Sequence, residues 1–169
     1  GFDNVAVGDQ ALDANTTGDY NTAVGRNSLS SITTTDGHTA IGYNALANNA
    51  TGLYNCAVGF EAAHDSTDKN QITAIGYKAL HVADGHANTA VGFEAMGVGS
   101  ATGGYNTAVG RQSLRSVIGA NNAALGYSSG YDLTTGVDNT FIGDNAGKSS
   151  TTASYNVAIG RQALYTCLL

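Results

Sequence analysis

Apolar and polar positions alternate over very short stretches of this chain, and the stretches recur. Val5-Ala6-Val7, Thr22-Ala23-Val24, Thr39-Ala40-Ile41 and Thr73-Ala74-Ile75 each run straight into a Gly. In an extended chain successive side chains point to opposite faces, so residues 22 and 24 share one face and Ala23 takes the other. The last apolar residue of each stretch is mostly β-branched, which suits a pleated sheet. No window carries a sustained 3.6-residue apolar stripe. Between the stretches lie turn segments rich in Gly, Asn, Asp and Thr, such as "NTTGDY" at 15–20 and "SATGGY" at 100–105. The pattern predicts short strands joined by tight turns.

The strands belong to one array. A Gly preceded by Val, Ile or Leu stands at Gly8, Gly25, Gly42, Gly59, Gly76, Gly92, Gly110, Gly126, Gly143 and Gly160, in steps of 16 to 18 residues. A period near 17 residues held over ten copies predicts a parallel β-solenoid, one coil per copy, spanning 1–169 as a single repeat array. At the usual strand spacing ten coils make a rod on the order of 48 Å long.

Each column of the repeat has a physical reading. The repeated Gly (Gly25, Gly110 and Gly160 among them) predicts positive φ or a close approach that a Cβ would block. Four residues earlier, Asn fills eight of ten copies, including Asn21, Asn106 and Asn156; His38 and Ile72 are the exceptions. That column predicts side-chain bonds to turn backbone, stacked coil on coil. Three residues after the Gly, every copy has Ala or Ser, which predicts a tight site. Val24 and its column mates are expected to fill the coil interior. The opposite face holds Ala in nine of ten copies, with Phe141 the exception, and is expected to pack against a second chain. The Leu column (Leu12, Leu29, Leu46, Leu80, Leu114, Leu164) supplies more apolar surface than a thin coil is expected to hide.

The column one past the Gly varies most. It reads Asp9, Arg26, Tyr43, Phe60, Tyr77, Phe93, Arg111, Tyr127, Asp144, Arg161. Asp9 with Arg26, and Asp144 with Arg161, are opposite charges on successive coils. The four aromatics between them predict either a self-stacked ladder or a strip that stacks on the sugar rings of a bacterial surface glycan, with Arg111 placed for a cation–π contact to Tyr127. In the next column, two past the Gly, Glu61, Lys78 and Glu94 predict an alternating-charge ladder.

Composition narrows the partners. The chain has 23 Gly, no Pro and no Trp, is 42% apolar and 12% charged, and carries a net charge of −6. Low charge at this apolar content argues for order. Without a basic run, nucleic acid is not an expected partner. No stretch approaches about 18 consecutive apolar residues, so no membrane span is expected. Two cysteines, Cys56 and Cys167, are too few for a disulfide framework or a zinc site. The chain opens at Gly1 inside a repeat, and neither end carries a polar cap for its strand edges, which points to a segment of a longer protein flanked by further fibre domains.

At this point "NTAVGxxAL" with "TTG" linkers resembles the repeats of bacteriophage tail-fibre proteins, especially those ending in an intramolecular chaperone domain. It is also similar to the "SVAIGxxS" head repeats of trimeric autotransporter adhesins. That resemblance covers the whole chain and implies a homotrimer of left-handed parallel β-rolls. The period here is longer than in the adhesin heads, and Thr stands more often than Val three before the Gly.

No catalytic signature is found: there is no G-x-S-x-G, H-E-x-x-H or phosphate-cradling loop. The histidines are His38, His64, His81 and His86; His38 and His86 follow "DG" and read as turn residues. Glu61 and Glu94 lie two coils apart, at the long end of the separation used by inverting glycosidases, but Lys78 sits between them. No enzyme activity, cofactor or metal is expected. The resemblance implies a non-enzymatic shaft or β-roll module of an extracellular trimeric fibre on a virion, holding a receptor-binding tip. The alternative is a bacterial cell-surface adhesin head that binds host or matrix directly. A cellular extracellular filament and an ice-binding solenoid are further alternatives; the latter would want an unbroken Thr column, which Val5, Cys56, Ala123 and Val157 interrupt.

Overall fold

The structure, a computed structural model, describes residues 1–82, 85–98 and 102–166. Ten three-residue strands form one parallel sheet in sequence order: β1 (Val5–Val7), β2 (Thr22–Val24), β3 (Thr39–Ile41), β4 (Cys56–Val58), β5 (Thr73–Ile75), β6 (Thr89–Val91), β7 (Thr107–Val109), β8 (Ala123–Leu125), β9 (Thr140–Ile142) and β10 (Val157–Ile159). Each strand lies beside the next copy of itself, which makes the chain an all-β solenoid of about nine turns with a period near 17 residues. Register follows the columns: Thr22 pairs with Thr39, Ala23 with Ala40 and Val24 with Ile41. The uneven steps do not disturb it. Thr89 still faces Thr107 across the 18-residue step, and Thr73 faces Thr89 across the 16-residue one. Length variation is therefore taken up between the strands, outside their three-residue register.

Backbone bonds tie each coil in both directions. The N–H of Thr22 donates forward to the His38 carbonyl at 2.8 Å, and that of Gly25 donates back to the Val7 carbonyl at 2.7 Å. The corner after the Gly continues the scheme: Asn27 N–H donates back to Asp9, and Leu29 N–H forward to Ala45. Both residues have positive φ, 57° for Asn27 and 49° for Leu29, and the same two columns repeat this in successive coils. Left-handed φ in residues with a Cβ is uncommon. Here it is bought by two inter-coil bonds and by burial of the Leu.

The faces of the strand are reversed from the sequence expectation. Ala23, Ala40, Ala57, Ala74, Ala90 and Ala108 are fully buried inside the coil, and the Val/Ile column faces outward. Ala40 and Ala74 are 0% exposed, whereas Ile41 and Ile75 are each 40% exposed. The Ala face therefore packs within its own coil and not against a second chain. The reason lies across the coil. Leu29, Leu46, Leu80 and Leu114 turn inward and are completely buried, so the coil hides its Leu column except near the ends, where Leu12 is half-buried and Leu164 exposed. With Leu on one wall and the small Ala/Ser column beside it (Ala45, Ala62, Ser113), the strand's inward position has room only for a methyl group. Phe141 marks the exception. It is buried in the Ala column where Gly130 and Gly147 stand in the Leu column.

Two columns behave as their spacing predicts. The repeated glycines have φ from 122° to 137°. A Cβ on Gly42 would also lie 2.3 Å from the carbonyl oxygen of Gly59. The Asn column forms a buried ladder between coils. Asn21 Oδ1 accepts the His38 N–H at 2.9 Å, and Asn156 N–H donates to Asn139 Oδ1 at 3.0 Å. Asn106 likewise accepts from Asn122, while its own Nδ2 donates to the Gly119 carbonyl. Asn21 and Asn106 so each satisfy one donor and one acceptor of the turn in the following coil.

Candidate functional site: an exposed aromatic ladder

The outer surface carries the candidate site. One residue past the Gly, Tyr43, Phe60, Tyr77 and Phe93 project from four successive coils and stack face to face. Their ring centroids are 5.1, 5.4 and 5.0 Å apart, with interplanar angles between 11° and 17°. The coil spacing sets this distance, because one column recurs at the strand separation. Arg111 extends the stack, its guanidinium lying 5.4 Å from the Phe93 centroid and 5.7 Å from that of Tyr127. The charged pairs at the ends of the column form as well: Arg26 Nε lies 3.4 Å from Asp9, and Arg161 Nε lies 3.5 Å from Asp144. Both pairs are exposed and contribute little, about 0–1 kcal/mol. Structure thus gathers Tyr43, Phe60, Tyr77, Phe93, Arg111 and Tyr127 into one continuous exposed strip. Among the described residues no pocket is present, so a ligand here would lie along the strip.

Truncation of the ladder has a direct expected consequence. Phe60→Ala removes two ring contacts, each worth about 0.5–1.5 kcal/mol beyond burial, so the denaturant midpoint is expected to fall by the equivalent of about 1–3 kcal/mol. If the strip also binds a glycan, adsorption to cells that display it falls too. A variant unchanged in both would remove the strip from structure and function alike.

The second charged column departs from strict alternation. Lys78 Nζ lies 3.2 Å from Glu61 Oε2, as expected. Glu94 is instead held by Arg115 Nε at 3.2 Å and by Gln112 Nε2 at 3.0 Å. Arg115 sits on the far side of the coil corner, out of column, so column reading missed it. The Gln112 amide and Arg115, working against burial, keep the Glu94 carboxyl below its usual range.

His38 has a more particular role than a turn residue. It is buried in the Asn ladder and does the work of an Asn: its Nδ1 accepts the Asn55 N–H at 3.3 Å, and its Nε2 lies 3.2 Å from Thr35 Oγ1. An accepting Nδ1 puts the proton on Nε2 and requires a neutral ring. Burial depresses its pKa from 6.5 to about 4, against smaller opposing effects of the Gly52 backbone and the Asp36 charge. The unfolded chain takes up this proton below its ordinary pKa, while the folded chain resists until about pH 4. Stability from this group is complete above pH 6.5 and is lost as the pH falls toward 4, by about 3 kcal/mol in all. Urea midpoints measured across that range are expected to fall in the wild type and to stay level in His38→Asn, which restores the ladder residue. The carboxyls of Glu61, Asp65 and Glu94 are depressed, so their contribution fades only below the usual carboxylate range.

Other sequence candidates are placed without being gathered. His86 is exposed, and its Nδ1 accepts the Asn70 N–H at 3.2 Å. Cys56 is a free, half-buried thiol on the outward Thr column, and Cys167 lies outside the described residues. Two surface features escaped the column reading. One is the outward Val/Ile stripe, from Val7 at 57% exposed to Ile159 at 67%. The other is the pairing of His64 with His81 on successive coils.

Comparison with known protein families, with curated proteins and with solved structures finds no match.

Proposed function

We propose that the chain is a structural segment of an extracellular trimeric fibre: the shaft, or a β-roll module, of a phage tail fibre that holds a receptor-binding tip and aids host attachment. The observation that carries this reading is the outward stripe of Val and Ile along the strand face. Val7, Ile41, Ile75, Leu125, Ile142 and Ile159 are each more than a third exposed, one above another. An apolar stripe of this length is a binding surface or a liability in a lone rod. A second and third copy would cover it. The surface offered to a partner is thus the Val/Ile face, and the Ala face, already used inside the coil, has no part in it. The function is mechanical: stacked coils resist extension and proteolysis, and the assembly keeps a tip at a distance. Lysine at Ile41 and Ile75 tests this. The doubly substituted chain should keep its β-sheet circular dichroism and sediment as a smaller species. A wild type and a variant of equal mass would overturn it.

A second reading rests on the aromatic strip. Four stacked, partly exposed rings ending in Arg111 suit the apolar faces of pyranose rings, as an adhesin head that touches the host surface would need. A glycan array separates the two: retention of one glycan class by the wild type and its loss in Phe60→Ala favours the adhesin, and retention of none favours the spacer.

A further inference from the structure

His64 and His81 stand in the same column, five residues past Gly59 and Gly76, and their rings stack at 5.3 Å with 10° between planes. Asp65 lies beside them. Its Oδ1 is 2.7 Å from His64 Nδ1, and its Oδ2 is 4.0 Å from His81 Nδ1. One ligand atom from each of the three residues falls within 4.8 Å of the others. The surroundings fix how these groups face. Glu61 Oε2 lies 3.2 Å from His81 Nε2 and so takes that nitrogen's proton as a hydrogen bond, leaving the Nδ1 lone pair turned toward Asp65. Lys78 Nζ in turn holds Glu61 at 3.2 Å. Asn48 Nδ2 donates to Asp65 Oδ1 at 2.8 Å. A carboxylate behind an imidazole whose other nitrogen faces a second carboxylate is the arrangement that orients metal-binding histidines.

We infer that His64 Nδ1, the Asp65 carboxylate and His81 Nδ1 bind one divalent transition-metal ion of the zinc class across coils β4 and β5. Two imidazoles and one carboxylate suit Zn²⁺, Cu²⁺, Ni²⁺ or Co²⁺ and not the all-oxygen preference of Mg²⁺ or Ca²⁺. Tetrahedral zinc with bonds near 2.0–2.1 Å brings its ligand atoms to roughly 3.3 Å apart. The present separations of 2.7 and 4.0 Å bracket that value. The shorter is a hydrogen bond from His64 Nδ1–H to Asp65, so the ion takes the place of that proton, which passes to His64 Nε2 or to solvent, and small side-chain rotations complete the site. The side chains of His64, Asp65 and His81 are 23%, 39% and 21% exposed, which lets an ion enter and leaves a fourth position to water. Glu61 is a positioning residue. The bound ion would add a metal clip between two neighbouring coils that the backbone ladder, the Glu61–Lys78 pair and the stacked rings already join.

The test uses the whole chain stripped with a chelator and titrated with Zn²⁺ by calorimetry. The wild type is expected to bind one equivalent per chain with a rise in its thermal midpoint. His81→Asn should abolish both, and Glu61→Ala should weaken binding by about 10–100-fold, with Glu61→Gln, which keeps the acceptor oxygen, restoring most of it. The Cu²⁺-loaded wild type, which needs no variant, should show hyperfine coupling to two imidazole nitrogens by electron paramagnetic resonance. Absence of saturable binding, binding undiminished in His81→Asn, or coupling to fewer than two imidazoles would overturn the site.

Discussion

Alanine at Gly76 is expected to destabilise the chain severely, and alanine at Gly160 far less. Both glycines have positive φ, +134° and +122°, so both substitutions strain the backbone. They differ in what lies above them. A Cβ on Gly76 would meet the Gly92 carbonyl oxygen at 2.4 Å and its carbon at 2.7 Å, while a Cβ on Gly160 meets no described atom within 4 Å. Backbone cannot rotate aside as a side chain can, so the coils must part. Strain costs about 1–3 kcal/mol at either site, and overpacking adds about 1–3 kcal/mol at Gly76 alone. Because a solenoid is held by contacts between neighbours, a breach in the middle separates two half-rods. Denaturant midpoints of the two variants measure the difference. Equal losses would mean that backbone conformation, and not coil-to-coil approach, sets the column.

The second large effect concerns Phe141. Phe141→Ala is expected to cost about 3–5 kcal/mol, the usual range for a fully buried ring. Gly147→Leu, which installs the usual residue of its column, should also destabilise, since a Cβ there falls 2.7 Å from three Phe141 ring atoms. Leucine itself is tolerated at this corner: Leu80 and Leu114 adopt φ of 48° and 46°. The double variant replaces one large-small pair by its mirror and should recover much of the loss. A coupling energy in the range of about 0.5–3 kcal/mol is expected from the double-mutant cycle. Simple addition of the two losses would show that Phe141 and Gly147 do not fill one shared volume.

Phe141 also shows where the sequence was legible and where it was not. The period, the parallel register and the glycine and asparagine columns follow from spacing, because a solenoid places each residue over its own repeat. The aromatic ladder follows for the same reason: Tyr43, Phe60, Tyr77 and Phe93 had to stack once the period was known. Which face turns inward did not follow. Alternation says that Ala23 and Val24 oppose each other, and hydrophobicity favours Val inside. The deciding fact is the far wall, where Leu29 turns inward at a left-handed corner and leaves space for Ala alone. Nothing in a Leu announces positive φ, so that corner had no local signal. Arg115, which holds Glu94, lies outside its column and was invisible to column logic. The His64–His81 pair was readable in principle, because the two lie 17 residues apart, one coil exactly in register with the repeat.

The reversal of faces moves the expected assembly surface from Ala to the Val/Ile stripe. Sedimentation equilibrium of the wild-type chain at micromolar concentration reads whether that stripe joins copies of the chain. A mass three times that of the 17.1 kDa chain is the predicted result. A stable species of 17.1 kDa, unchanged on raising the concentration, would contradict it.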